Sequence, residues 1–170
     1  MKDTNGNPFK LSDHKGEIVV LEWTNHLCPY VQKHYDSGNM QKTQETVLGM
    51  GDVKWVTIVS SAENRQGHVT PEEANKIASD ANAHITAKLL DESGEIGKAY
   101  GAKTTPHMFV INADGKIAYM GAIDSDPSPR VEAIETADNY VIDAVTALQN
   151  NQEIETKSSQ PYGCGVKYGF

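Results

Sequence analysis

A chain of 170 residues is long enough to bury about two thirds of its unfolded surface and too short for two ordinary domains. Its 15 Lys+Arg against 23 Asp+Glu leave a net charge of -8 with no basic cluster, which argues against nucleic acid or an anionic membrane as the main partner. No apolar run reaches the roughly 18 residues of a membrane-spanning helix, and Met1–Lys10 lacks the apolar segment of a signal peptide. Two cysteines, Cys28 and Cys164, are too few for a disulfide scaffold and lack zinc-type spacing, which leaves a pair or two independent thiols.

Asp3–Gly16 is polar and rich in turn formers (Asn5-Gly6, Asn7-Pro8, Lys15-Gly16), and reads as a lead-in with at most a short hairpin. Ile18–Trp23 is a β-branched apolar run suited to a buried strand, with Glu22 as an unusual carboxyl inside it. Pro29 stands where its missing N–H costs nothing, and a helix is expected from Pro29 to about Leu48 with a kink at Gly38. Lys54–Ser60 is the second strand, followed by a long polar loop, Ser61–His68. Thr70-Pro71-Glu72-Glu73 is a capping box that predicts a helix to about Asn82. Ala87–Leu90 is a short apolar stretch closed by Asp91-Glu92-Ser93-Gly94, and Glu95–Tyr100 supplies a turn or two of helix. Met108–Asn112 and Lys116–Met120 flank Ala113-Asp114-Gly115, a hairpin signature. Val131–Gln149 sets Val131, Ile134, Val141, Val145 and Leu148 along one amphipathic helix. Residues 150–170 form a tail that stays polar until Pro161 and carries Cys164. A β-α-β half followed by a β-β-α half predicts a thioredoxin-like α/β fold over residues 1–170, a central mixed β-sheet flanked by helices on both faces.

Cys28 follows a strand and opens a helix, where exposed backbone N–H groups and the helix dipole stabilise a thiolate. The bland alternative is a buried structural thiol. His26, His34 and His107 fall in the same region, and a cationic imidazole would lower the Cys28 pKa further. The His26 to Cys28 spacing is not a helical ligand pair, so no dedicated metal site is expected. His14, His68 and His84 read as surface residues, Trp23 and Trp55 as core. Glu22 in a buried strand carries a raised pKa unless a cation such as Lys54 pairs with it.

Trp23–Val31, together with Thr104-Thr105-Pro106 and the hairpin after it, resembles the thioredoxin-like redoxins, in the superfamily of alkyl hydroperoxide reductase and thiol-specific antioxidant proteins. The likeness runs from about Asn5 to Tyr168. Cys28-Pro29-Tyr30-Val31, Thr104-Thr105-Pro106-His107 and Pro161-Tyr162-Gly163-Cys164 look like a bacterial peroxiredoxin-like subgroup. The resemblance implies Cys28 as nucleophile, Glu22 as a proton-transferring acid and Pro106 as a cis-proline opposite the nucleophile, with Pro29, Tyr30, Thr105, Pro106 and His107 docking the partner. Val31 stands where the second cysteine of a Cys-x-x-Cys motif belongs, so Cys164 resolves a mixed disulfide, or an external thiol does, or Cys28 and Cys164 form a standing disulfide. A Cys28–Cys164 disulfide is the expectation; Gly163 and Gly165 give the backbone room, and closing so long a loop adds up to about 5 kcal/mol.

The resemblance thus implies thiol–disulfide exchange with protein thiols or disulfides or an external reductant, by a monomer or weak dimer without cofactor, in the periplasm or alternatively the cytoplasm. One rival is a thiol peroxidase, another a non-catalytic domain locked by the disulfide. The peroxidase pattern Pro-x-x-x-Thr/Ser-x-x-Cys needs a proline and a hydroxyl where Leu21 and Asn25 stand. Arg65 and Arg130, the two arginines, lie in polar segments away from the motif, which disfavours peroxide chemistry.

Overall fold

Six consecutive buried residues make Ile18–Trp23 the middle strand of a five-stranded sheet in the computed structural model, which describes residues 1–169. In chain order the strands are β1 (Ile18–Trp23), β2 (Val53–Val59), β3 (Ala87–Leu90), β4 (Thr104–Thr105), β5 (His107–Ile111), β6 (Ile117–Gly121) and β7 (Cys164–Gly165). The helices are α1 (Pro29–Asp36), α2 (Asn39–Leu48), α3 (Pro71–Asp80), α4 (Glu95–Tyr100) and α5 (Tyr140–Gln149). The large sheet runs β3-β2-β1-β5-β6, with β1, β2 and β3 parallel and β5 and β6 antiparallel. This is the thioredoxin-like α/β fold, a mixed sheet with helices on both faces.

Alternation along the strands divides the core. Val20, Trp55, Met108 and Val110 pack with Met40 of α2 and Val141 and Val145 of α5 on one face. Val19, Leu21, Trp23, Val56 and Phe109 pack with Tyr100 of α4 on the other. Trp23 and Trp55 are both fully buried. Register sets Glu22 beside Thr57 and Thr57 beside Lys88, a polar row running across three strands of an otherwise apolar face.

Two expected helices are broken. The segment from Pro29 to Leu48 forms α1 and α2 rather than one kinked helix, because Gly38 adopts φ +80°, a left-handed conformation that ends a helical turn. The segment from Val131 divides into a 3₁₀ turn, Val131–Thr136, and α5, whose start is fixed by the Asn139 side chain accepting from Ile142 N at 3.0 Å. Helix α3 keeps its predicted cap, with Glu73 N donating to Thr70 Oγ1 at 3.2 Å, and ends at Asp80 before Asn82 turns left-handed. The lead-in holds a 3₁₀ turn at Leu11–His14 and a single bridge between Lys2 and Pro8. No helix among the described residues is long and apolar enough to cross a membrane.

Candidate active site

The turn before α1 is held by Asn25, whose Oδ1 accepts from Leu27 N at 3.0 Å while its carbonyl accepts from Cys28 N at 3.0 Å. Cys28 is thereby the N-cap residue of α1, with Pro29 in the first turn. It is fully buried, and its Sγ donates to the Thr105 carbonyl oxygen at 3.1 Å. The Thr105–Pro106 peptide is cis.

The tail of the chain itself completes this site. Strand β7 pairs antiparallel with β4, placing Cys164 opposite Thr105. Gly163 has φ +141°, and a Cβ there would overlap the Thr105 carbonyl, so only glycine brings the tail this close. Tyr162 fastens the segment. Asn39 Nδ2 donates to His34 Nδ1 at 2.9 Å, which leaves His34 Nε2–H to donate to the Tyr162 hydroxyl at 2.9 Å, and that hydroxyl donates to Asp124 Oδ1 at 2.5 Å. The Tyr162 ring meets Tyr30 edge-on and lies under the Lys33 ammonium. Past Cys164, Val166 N donates to Lys103 O at 3.1 Å and the Tyr168 hydroxyl to Ala102 O at 2.7 Å.

Electrostatics separate the two sulfurs. Burial pushes the Cys28 thiol up, but hydrogen bonds from the Cys164 thiol, the Thr105 side chain and the backbone N–H groups of Val31 and Cys164 outweigh it and hold Cys28 below its ordinary value. Burial raises Cys164, and the bond it gives to Cys28 together with the negative charge there raises it further. Cys28 is therefore the more acidic thiol of the pair and Cys164 the less acidic one. Thr105 Oγ1, buried and lacking any other partner, is a hydroxyl free to turn to the sulfur. Both cysteines are free thiols in this structure rather than the expected disulfide, and they lie in hydrogen-bond contact.

The other expected site residues divide. Thr105 and Tyr30, assigned to a partner, are occupied by the tail, whereas Pro29 stays exposed. His107 is buried, stacked on Phe109 with its Nδ1 accepting from Lys103 N at 3.1 Å. Burial lowers its pKa to about 4, and that of His34 to about 3, so both are neutral at pH 7 and the expected cationic support for Cys28 from these two is replaced by hydrogen bonds. Asn25, at the position where a peroxidase carries a hydroxyl, spends its side chain on Leu27 N and Gln66.

Glu22 does not reach the sulfurs. Its carboxylate accepts from the Tyr35 hydroxyl at 2.7 Å, Trp55 Nε1 at 2.9 Å and Gln44 Nε2 at 3.3 Å, and Lys54 pairs instead with Glu17. Glu22 thus anchors α1, through Tyr35, to the sheet. Burial raises its pKa despite those donors. A raised folded pKa means the folded state holds the proton more tightly, so this stability is full below the ordinary value of 4.5 and lost as pH rises through the folded value. Urea unfolding of wild type and Glu22→Gln at several pH values should show wild type losing ground to the variant above about pH 4.5; parallel pH curves would contradict this.

The sequence matches the Redoxin family model over residues 1–137, a span that holds Cys28 and Pro106 and stops before the tail. The structure superposes on an uncharacterized conserved protein from Geobacillus kaustophilus with TM-score 0.81 at 24% identity, covering 99% of this chain and 87% of that one. A hypothetical protein from Sinorhizobium meliloti gives TM-score 0.80 at 20% identity, covering 99% and 90%. A secreted Mycobacterium tuberculosis disulfide oxidoreductase homologous to E. coli DsbE gives TM-score 0.59 at 18% identity, covering 86% and 93%. No curated protein matches the sequence.

Proposed function

The chain belongs to the Redoxin family, and from that premise we propose that it is a thiol–disulfide oxidoreductase with Cys28 as nucleophile and Cys164 as resolving thiol. The observation that carries this reading is the contact between Cys28, its thiol made more acidic, and Cys164, its thiol made less acidic, which strand β7 holds opposite Thr105. The Cys28 thiolate attacks one sulfur of a partner disulfide, forming a mixed disulfide and releasing the other partner sulfur as a thiolate that takes a proton. Cys164 then gives up its proton and attacks Cys28 Sγ. The Cys28–Cys164 disulfide forms, the second partner thiol leaves, and the partner has gained two electrons that these thiols lost. An external dithiol reverses the bond and closes the cycle.

Because Cys28 is covered and Thr105 is already paired with Cys164, a partner strand enters by displacing the tail. Exposed Leu27 and Pro29 flank Cys28 and provide the first apolar contact. A tail that takes the partner's place on β4 also returns Cys164 to the mixed disulfide once the partner loosens. An oxidising compartment, the periplasm, suits a cycle that passes through a long-range disulfide, and the secreted relative supports that location.

Insulin reduction driven by dithiothreitol, run beside hydrogen peroxide consumption, tests the assignment. Turnover on insulin with little peroxide consumption is expected. Peroxide consumption without insulin turnover would establish the peroxidase instead, and neither activity would leave a binding domain.

A further inference from the structure

A cleft of about 320 Å³ opens between α1, the end of α3 and the face of β2 and β3. The thiols do not line it. Two members of the polar row of the sheet, Thr57 and Lys88, line it, and their side chains have no hydrogen-bond partner among the described residues. Lys88 is 7% exposed and no hydrogen bond or ion pair ties its ammonium to another described residue. Glu22 attracts it through space, but the Glu22 oxygens are engaged by Tyr35, Gln44 and Trp55. Thr57, between the two, is 2% exposed and its Oγ1 has no partner. A mostly buried lysine and a fully buried, unpartnered hydroxyl, adjacent across the β2–β3 pair, favour a ligand that supplies acceptors.

We propose that this cleft binds a small aliphatic monocarboxylate, its carboxylate taken by Lys88 and Thr57 and its hydrocarbon chain by Val31, Ile77, Ala78 and Ile85. The apolar walls call for a hydrocarbon rather than a bare ion. A single cation at the base fits a single negative charge. Asp36 and Asp80 line the same cleft and His26 is shifted toward its neutral form by burial, so a multiply charged anion such as phosphate meets repulsion without a second cation. A carboxylate accepts from both Lys88 and Thr57 at once, which a neutral alcohol does less well.

Titration calorimetry of the full chain with hexanoate, hexanol and inorganic phosphate tests the site. Saturable hexanoate binding is expected, with hexanol and phosphate each at least about tenfold weaker. Lys88→Met, which keeps the length of the side chain without its charge, should weaken hexanoate at least about tenfold and leave hexanol unchanged or improved. Thr57→Val should weaken hexanoate about fivefold and serves as the second variant if Lys88→Met does not fold. No hexanoate binding, phosphate binding as tight as hexanoate, or hexanoate affinity unchanged in a folded variant would overturn the proposal.

Discussion

Cys28→Ser is expected to lower insulin reduction by about a thousandfold or more, since the attacking thiolate is gone and a serine hydroxyl is not ionised at neutral pH. The oxygen still reaches the Thr105 carbonyl, so the urea midpoint should move little. Cys164→Ser behaves differently. Its Cys28 still attacks, but the reaction halts at the mixed disulfide, releasing one partner thiol per molecule and leaving a stable adduct. Cys164→Ala, which removes the hydrogen bond that the Cys164 thiol gives, withdraws one of the contacts that lower the Cys28 pKa, so the pH midpoint of Cys28 alkylation should rise in that variant. Full multiple-turnover activity in Cys164→Ser would assign resolution to an external thiol.

Tyr162→Phe should loosen the tail most strongly among single conservative changes outside the cysteines. The hydroxyl it removes receives a bond from His34 and gives one to Asp124, a carboxyl that is 3% exposed. Leaving those buried groups without a partner costs about 1–3 kcal/mol. Where that cost falls on the docked tail, the population with the tail displaced rises by about tenfold or more, and alkylation of Cys28 by iodoacetamide accelerates by the same factor. His34→Ala, which removes the same tether from the α1 side, should act in the same direction. Unchanged alkylation in both variants would show that the tail does not control access to Cys28.

Much of the fold was legible because its signals are local. The apolar run at Ile18–Trp23, the capping box at Thr70 and the Asp114-Gly115 turn each encode their element in a few adjacent residues. The two divided helices were misread for a local reason as well: Gly38 and Asn139 carry stop and start information that the apolar spacing spanning them conceals. The site was legible only in part. Cys28 is announced by the strand before it and the proline after it, whereas the hydrogen-bond partners of Glu22 are not legible, because Tyr35, Gln44 and Trp55 come from α1, α2 and β2. The two-residue ladder between β4 and β7 joins positions far apart in the chain and has no periodicity to detect. Gly163 was its one trace in the sequence. The row Glu22, Thr57 and Lys88 is likewise a product of strand register, which no single strand reveals.

In the proposed cycle Cys164, carried by the tail into the partner's place on β4, resolves Cys28. Non-reducing peptide mapping by mass spectrometry after treating wild type with one equivalent of oxidised glutathione tests it directly. A cross-linked pair is expected, the peptide containing Cys28 joined to the peptide containing Cys164, with glutathione released. A persistent glutathione adduct on Cys28 beside a free Cys164 thiol would contradict it.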